Sequence, residues 1–292
     1  MDIRNKRVEA KLYVQALVQG FFSICHFPGE RGYGVGDKDF EWFVKQFKQK
    51  TGVDLSLYKE PQMKRRLTTL RDKKGFDSFT RFFKAMEKDP QLVNDCLDRL
   101  TINVSEFFRN PNRWRVLEQK ILPRLLQEGR PLKMWSAACS TGEEPYTLVM
   151  LLDQMLPAKK FQVLATDIDE VALSKARQGI YPARAVKEVP APYLKTYFRQ
   201  LNGLYYLSDE IKNRVLFKRQ NLLSDPFGTG FDLIMCRNVM IYFTDEAKDL
   251  LYQKFSKALN QGGVLFVGST EQIFHPEKYR FETEDTFFYR KI

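Results

Sequence analysis

A small-residue turn, two glutamates and a distant aspartate are spaced so that they could bind a ligand together. Ser140-Thr141-Gly142 joins an apolar run, Met134 to Ala138, to a segment that opens with Glu143, Glu144, Pro145 and Tyr146. Small residues let backbone N–H groups approach a ligand, and a helix N-terminus favours negative charge. A second apolar run ends in Thr166-Asp167-Ile168-Asp169, with Asp167 25 positions past Gly142. An acid at that place can accept both hydroxyls of a ribose. Asp169 is the better cap for the helix that follows, which leaves Asp167 for the ligand. The turn is not GxGxxG, so a dinucleotide pyrophosphate site, and with it an oxidoreductase, is poorly supported. Glu143 and Glu144 either complement a helix dipole or face a cationic ligand. A sulfonium carrying an ammonium group suits a site with acids and no phosphate grip. The spacing leaves open which of the two glutamates would meet it.

A third group is Asp232 to Phe243. Asp232 to Cys236 reads as a buried strand, so Arg237 and Asn238 fall at its carboxyl end. Ligands bind at that end in open α/β sheets. Tyr242 has an apolar body and a polar tip, and either packs or binds. Asn103, Ser105 and Arg109 lie in Thr101 to Arg109, which by composition alone is an ordinary interdomain turn.

The elements that would position these groups fall into two classes. Residues 37–128 read as helical. Phe40, Phe43, Val44 and Phe47 recur at helical spacing, as do Met63, Leu67 and Leu70, and Leu92, Val93, Cys96, Leu97 and Leu100. Asn110-Pro111 reads as an N-cap followed by proline at the first helical position. Trp114, Leu117 and Ile121 mark that helix's buried side. From about residue 130, strand-like runs alternate with helices: 132–138 and 144–156, 161–166 and 169–178, 231–236 and 244–259, then Val264 to Val267. This alternation predicts a parallel sheet with helices on both faces. Phe281 to Tyr289 reads as a hairpin pair. Tyr205 to Leu207 and Val215 to Phe217 read as a small antiparallel insert.

The chain has 292 residues, 43% of them hydrophobic and 14% aromatic, enough for two domains or one large one. Its net charge is +11. Residues 59–88 hold ten Lys/Arg against four acids. Lys64, Arg65 and Arg71 point away from the Met63–Leu67–Leu70 stripe, so this helix has a basic face that suits an acidic partner. Cys25, Cys96, Cys139 and Cys236 form no CxxC pair, and only His26 and His275 could add imidazole ligands. A metal site and a histidine-based triad are therefore not expected, and free cysteines fit a reducing cytosol. Leu12 to Phe27 is fairly apolar after Arg4, Lys6, Arg7 and Lys11, but is short and interrupted for a membrane span. No cleavage site of the secretory kind follows it.

Five motifs occur in order: Asn103-x-Ser105-x-Phe107-Phe108-Arg109, Trp135 to Tyr146, Thr166-Asp-Ile-Asp169, Cys236-Arg-Asn-Val-x-Ile-Tyr-Phe243 and Gly268-Ser-Thr-Glu271. Together they resemble the chemotaxis receptor methyltransferases, from about residue 40 to the end. Thr51 to Lys59 and Met63 to Leu67 resemble the Gram-positive form. Residues 1–36 lie outside the resemblance and are expected to be an extension of irregular order.

The resemblance implies an α/β fold. A helical N-terminal domain (37–128) would precede a Rossmann-like S-adenosylmethionine-binding methyltransferase domain (129–292), with a small antiparallel β-subdomain inserted at about 190–218. It implies that Asn103, Ser105 and Arg109 line the cofactor pocket, with Arg109 near the methionine carboxylate and the reactive methyl. Ser105 stands where relatives use threonine. Glu144 or Glu143 would meet the methionine end, and Asp167 the ribose. Asn221 and Leu222 would flank the adenine. Arg237, Asn238 and Tyr242 would sit around the methyl, Tyr242 acting beside Arg109 in catalysis. Lys64, Arg65, Arg66 and Arg71 would dock on the acidic signalling helices of membrane receptors.

The implied activity is methyl transfer to receptor glutamates, by a cytoplasmic monomer that meets the membrane only through its receptor. The alternative is an RNA methyltransferase, which the basic stretch would fit. It is disfavoured because no aromatic stacking platform interleaves the basic residues and no RNA-binding motif is present.

Overall fold

A computed structural model describes residues 35–101, 104–157 and 160–292. The extension expected over 1–36 therefore lies, apart from its last two residues, outside the described residues. Among the described residues four helices come first: α1 (Val35–Thr51), α2 (Glu60–Lys73), α3 (Phe79–Lys88) and α4 (Pro90–Leu100). They pack their apolar stripes into one cluster that includes Phe40, Phe43, Phe47, Leu67, Phe82 and Cys96. Helix starts follow from local chemistry. Asp39 accepts from the N–H groups of Phe79 (2.7 Å) and Thr80 (3.0 Å), so α1 caps α3. Asp89 caps α4, with Pro90 at its first position.

A bent helical segment connects to the sheet: α5 (Pro111–Val116), a π-turn over Leu117–Ile121, and α6 (Leu122–Leu126). Strands β1 (Leu132–Ala137) and β2 (Phe161–Asp167) then alternate with α7 (Glu143–Met155) and α8 (Glu170–Gln178). A small antiparallel sheet follows, built from β3 (Ile180–Pro182), β4 (Phe198–Leu201) and β5 (Leu204–Leu207), with α9 (Ala191–Tyr197) between β3 and β4. The short α10 (Asp209–Lys212) leads to β6 (Val215–Arg219), β7 (Phe231–Cys236), α11 (Asp245–Ala258) and β8 (Leu259–Val267). A closing hairpin is formed by β9 (Phe281–Asp285) and β10 (Phe288–Lys291).

The large sheet has the order β6-β2-β1-β7-β8-β10-β9. Its first five strands are parallel, and β10 runs antiparallel to β8. The chain order reverses at β1, with β2 and β6 on one side and β7 and β8 on the other. Ligands bind outside the carboxyl ends of the strands at such a reversal. The segments after Ala137, at Asp167, and after Arg219, Cys236 and Val267 all open there. Every residue of β7 is buried, as a strand covered on both faces requires.

One element differs from the sequence reading. Val215 to Phe217 does not belong to the antiparallel insert. It pairs parallel with β2 as the edge of the large sheet, and the third strand of the insert is β3. A short apolar run carries no mark of its partner, and at an edge Leu216 can stay 68% exposed while Val215 packs inward. No helix among the described residues is long and apolar enough to cross a membrane.

Asp232 is the polar exception inside β7. Its carboxylate accepts from Arg130 Nη1 (3.0 Å), Lys133 N (2.8 Å) and Asn260 Nδ2 (2.8 Å). This ties the entrance of β1 and the start of β8 to β7. Asp232→Ala is expected to destabilise the protein by about 3 kcal/mol, since it strands these donors. Urea unfolding would measure the loss, and an unchanged midpoint would contradict the assignment.

Candidate active site

A cavity opens at the carboxyl ends of β1, β2, β6 and β7. Counted with its open mouth, the space takes up about 980 Å³. The turn after β1 supplies one wall. Ala138 (φ 61°), Ser140 (φ 49°) and Gly142 (φ 93°) are all left-handed, a conformation that persists only where the surroundings hold it. Gly142 has no alternative: a Cβ there would lie 2.9 Å from Ala176 Cβ and 3.1 Å from the Tyr146 ring.

Asp167 holds this turn. Its two oxygens accept from Ser140 N (2.7 Å) and Asp169 N (2.9 Å). It lines the cavity with only 5% of its surface exposed. Burial pushes its carboxyl up to about 6, against the pull of those N–H groups. Asp169 caps α8 through Val171 N and Ala172 N, as its position predicts.

The two glutamates separate by role. Glu143 is buried and accepts from the hydroxyls of Thr141 (2.7 Å) and Ser105. Glu144 lines the cavity and accepts from Ser136 Oγ (2.8 Å) and Arg237 Nη1 (3.2 Å). Of the two, Glu144 is the one that borders the cavity. Ser105 also lines the cavity, but its hydroxyl ties its own segment to the first turn of α7.

Arg237 is buried at the end of β7. Nη2 donates to Arg109 O (2.8 Å) and to Asn110 Oδ1 (3.2 Å), and the guanidinium lies over the rings of Phe266 (4.5 Å) and Trp114 (5.5 Å). Its Nε is a buried donor without a protein partner. Burial pushes Arg237 down and Glu144 up, and each is opposed by the other's charge. Arg237 thus borders the cavity as expected, but its terminal nitrogens are occupied by protein. Asn110 also differs from expectation. It is left-handed (φ 62°) and makes no side-chain cap bond to α5. Its carbonyl faces Arg237 instead, because the chain must turn there to bring Arg109 beside β7.

Asn238, Tyr242, Asn221 and Leu222 all line the cavity, as does Arg109, whose Nη1 donates to Val104 O (3.1 Å). Asn103 lies outside the described residues. Of the basic residues expected to dock a partner, Arg66 lies over the Tyr242 ring at 5.1 Å. Lys64 sits over Phe40 (5.3 Å), while Arg71 sits over Phe79 (4.7 Å) and pairs with Asp72. Arg65 is exposed.

Two residues at the site escaped the sequence reading. Glu271 accepts from the N–H groups of Asn238 (2.6 Å), Val239 (2.8 Å), Met240 (2.7 Å) and Gly268 (2.7 Å). It clamps the left-handed Asn238 (φ 60°) that presents the end of β7 to the cavity. Its signal was the Gly268-Ser-Thr-Glu271 motif, whose glycine leaves room for the carboxylate. The second is Tyr58, between α1 and α2, which lines the cavity from the helical part of the chain.

The acceptor set fits a nucleoside with a cationic tail. Asp167 has lone pairs left for a diol, Glu144 offers negative charge, and Arg237 Nε is a donor in want of an acceptor. Glu271→Gln, which aims an amide NH₂ at two of the four N–H groups, is expected to cost about 2–3 kcal/mol. Gly268→Ala should do the same, since its Cβ would run into Glu271 Oε2 and lie 2.8 Å from Asn238 N. Wild-type unfolding midpoints in both variants would remove the clamp from the account.

Comparison with known proteins agrees with this geometry. Residues 38–101 match the family model described as CheR methyltransferase, all-alpha domain, and residues 103–288 match CheR methyltransferase, SAM binding domain. A chemotaxis protein methyltransferase of Listeria monocytogenes is 44% identical over 256 residues, covering 87% of this chain and 98% of the relative. One from Borreliella burgdorferi is 37% identical, covering 76% of this chain and 83% of the relative. With the helical part, the cofactor domain and the cavity between their residues all accounted for, the chain belongs to the CheR methyltransferase family.

Proposed function

We propose that this chain methylates glutamate side chains on chemotaxis receptors, with S-adenosylmethionine as methyl donor. The observation that carries this reading is the convergence of Asp167, Glu144, Arg109, Asn238 and Tyr242 on one cavity, with Arg66 of the basic helix over Tyr242. When bound, S-adenosylmethionine supplies a methyl group made electrophilic by its sulfonium.

The residues would divide the work as follows. Asp167 accepts the ribose hydroxyls. Glu144 faces the ammonium of the methionine part. Asn221 and Leu222 flank the adenine, Leu222 with an apolar surface and Asn221 at a turn fixed by its own Oδ1 and Leu223 N (3.0 Å). Arg237 orients Glu144 and the 109–110 backbone rather than the substrate. Arg109 meets the methionine carboxylate near the reactive methyl, and with Tyr242 it would steer an entering carboxylate. Ser105 and Asn103 belong to the segment that carries Arg109.

A glutamate needs no general base here. It titrates near ~4.3, so it is already a nucleophile at neutral pH. The protein's task is to align it and exclude water. A guanidinium that fully neutralised the carboxylate would slow attack, so Arg109 steers and does not clamp. Lys64, Arg65, Arg66 and Arg71 lie on the helix beside the cavity mouth and would favour an acidic receptor helix. In this reading residues 37–128 carry the docking helix and part of the cavity wall, and 129–292 supply most of the cofactor site. The chain acts as a cytoplasmic monomer on receptor signalling helices.

Transfer of radiolabelled methyl to receptor-containing membranes tests the proposal. Wild type should leave base-labile label on receptor, and Arg109→Ala should lose at least tenfold. Label on RNA, and none on receptor, would overturn it. A second expectation concerns pH. Only the ionised Asp167 accepts from both hydroxyls, and its carboxyl titrates at about 6. Affinity for S-adenosylhomocysteine should be full above pH 7 and fall as pH drops through 6. Asp167→Asn should bind weakly at every pH. Calorimetric titration that found a flat wild-type profile from pH 5 to 8 would contradict the ribose assignment.

A further inference from the structure

Tyr58 belongs to the helical part of the chain, yet its ring lines the cofactor cavity together with Asp167, Asn221 and Leu222. Its place there is built. A 3₁₀ turn over Leu55–Leu57 is capped by Asp54, which accepts from Ser56 N at 3.0 Å. The chain then pairs with the segment after Asn238. Tyr58 bridges Phe243 in antiparallel fashion, Lys59 N donates to Tyr242 O (2.9 Å), and Thr244 N donates to Leu57 O (3.0 Å). The Tyr58 ring stands edge-on to Phe243 with centroids 5.0 Å apart. Tyr58 and Tyr242 also border a second, smaller cavity lined by Arg66. The two rings therefore stand between the cofactor cavity and the space under the basic helix.

From this placement we infer that Tyr58 is a cofactor-binding residue supplied by the helical domain, its ring packing against the nucleoside of S-adenosylmethionine. The inference rests on the assignment of Asp167 to the ribose. An aromatic ring beside Asp167, Asn221 and Leu222 suits a purine nucleoside, and the phenol lies close enough to Asp167 for that charge to join burial in pushing its titration upward. The helical domain is then part of the cofactor site as well as a docking module. Cofactor retention follows from the fit of Tyr58 against Phe243.

The test is calorimetric titration of the full chain with S-adenosylhomocysteine and with 5′-methylthioadenosine, which lacks the amino-acid tail. Tyr58→Ala should weaken both ligands by about tenfold, the scale of one aromatic–base contact. Tyr58→Phe should stay within about twofold of wild type. Tyr58→Leu, which keeps apolar bulk against Phe243, should also lose affinity for both if Tyr58→Ala fails to fold. Arg109→Ala should weaken S-adenosylhomocysteine alone. Wild-type affinity in Tyr58→Ala or Tyr58→Leu, with weak binding in Asp167→Asn, would overturn the role of Tyr58 and leave the site reading standing. Loss confined to S-adenosylhomocysteine would also overturn it, by moving Tyr58 to the amino-acid end. Wild-type affinity in Asp167→Asn as well would overturn the ribose assignment and this inference with it.

Discussion

The buried guanidinium of Arg237 ties the site together. It touches Glu144 on α7, the backbone of Arg109 and the side chain of Asn110, and it lies over the rings of Trp114 and Phe266. A charge this deep is costly unless paired and hydrogen-bonded. Glu144 offsets the charge, and the fork of the guanidinium lets one residue bind three partners on two separate segments of the chain. The first turn of α7, the end of β7 and the segment carrying Ser105 and Arg109 thereby take one arrangement. The left-handed turn at Asn110 follows from it.

The rest of the cavity wall is backbone held in uncommon conformations by carboxylates. Asp167 fixes the turn of Ala138, Ser140 and Gly142, and Glu271 fixes Asn238. Each carboxylate accepts several N–H groups at once, which offsets the cost of its own burial. Asp167 has a double duty, since the same group that shapes the turn faces the cavity. Strain is thus concentrated where a ligand must be met closely, while the core behind it is an ordinary close-packed sheet and helix layer.

Much of this was legible in the sequence. The alternation of apolar runs and helices, the buried stripe Met63–Leu67–Leu70, the capping by Asp169 and the position of Asp167 all depend on neighbours a few residues away, and local spacing reports them. The CheR resemblance extended that reading to Arg109, Asn221 and Leu222, which the structure brings to one cavity. The parts that were not legible depend on distant partners. Val215 to Phe217 has the same apolar character in either sheet, so nothing local decides its partner. Glu271 clamps residues 31 to 33 positions away. Tyr58 reaches the cavity only because its segment pairs with Phe243. Asn110 carries a helix-start signature, but a tertiary contact with Arg237 claimed its side chain.

The most direct test of Arg237 as organiser is Arg237→Lys, which keeps the charge and loses the fork. A lysine can meet Glu144 but cannot at the same time hold Arg109 O and Asn110. S-adenosylhomocysteine affinity, measured by calorimetric titration, is expected to fall at least tenfold in this variant while it remains folded. Wild-type affinity in folded Arg237→Lys would show that charge alone suffices, and would contradict the account.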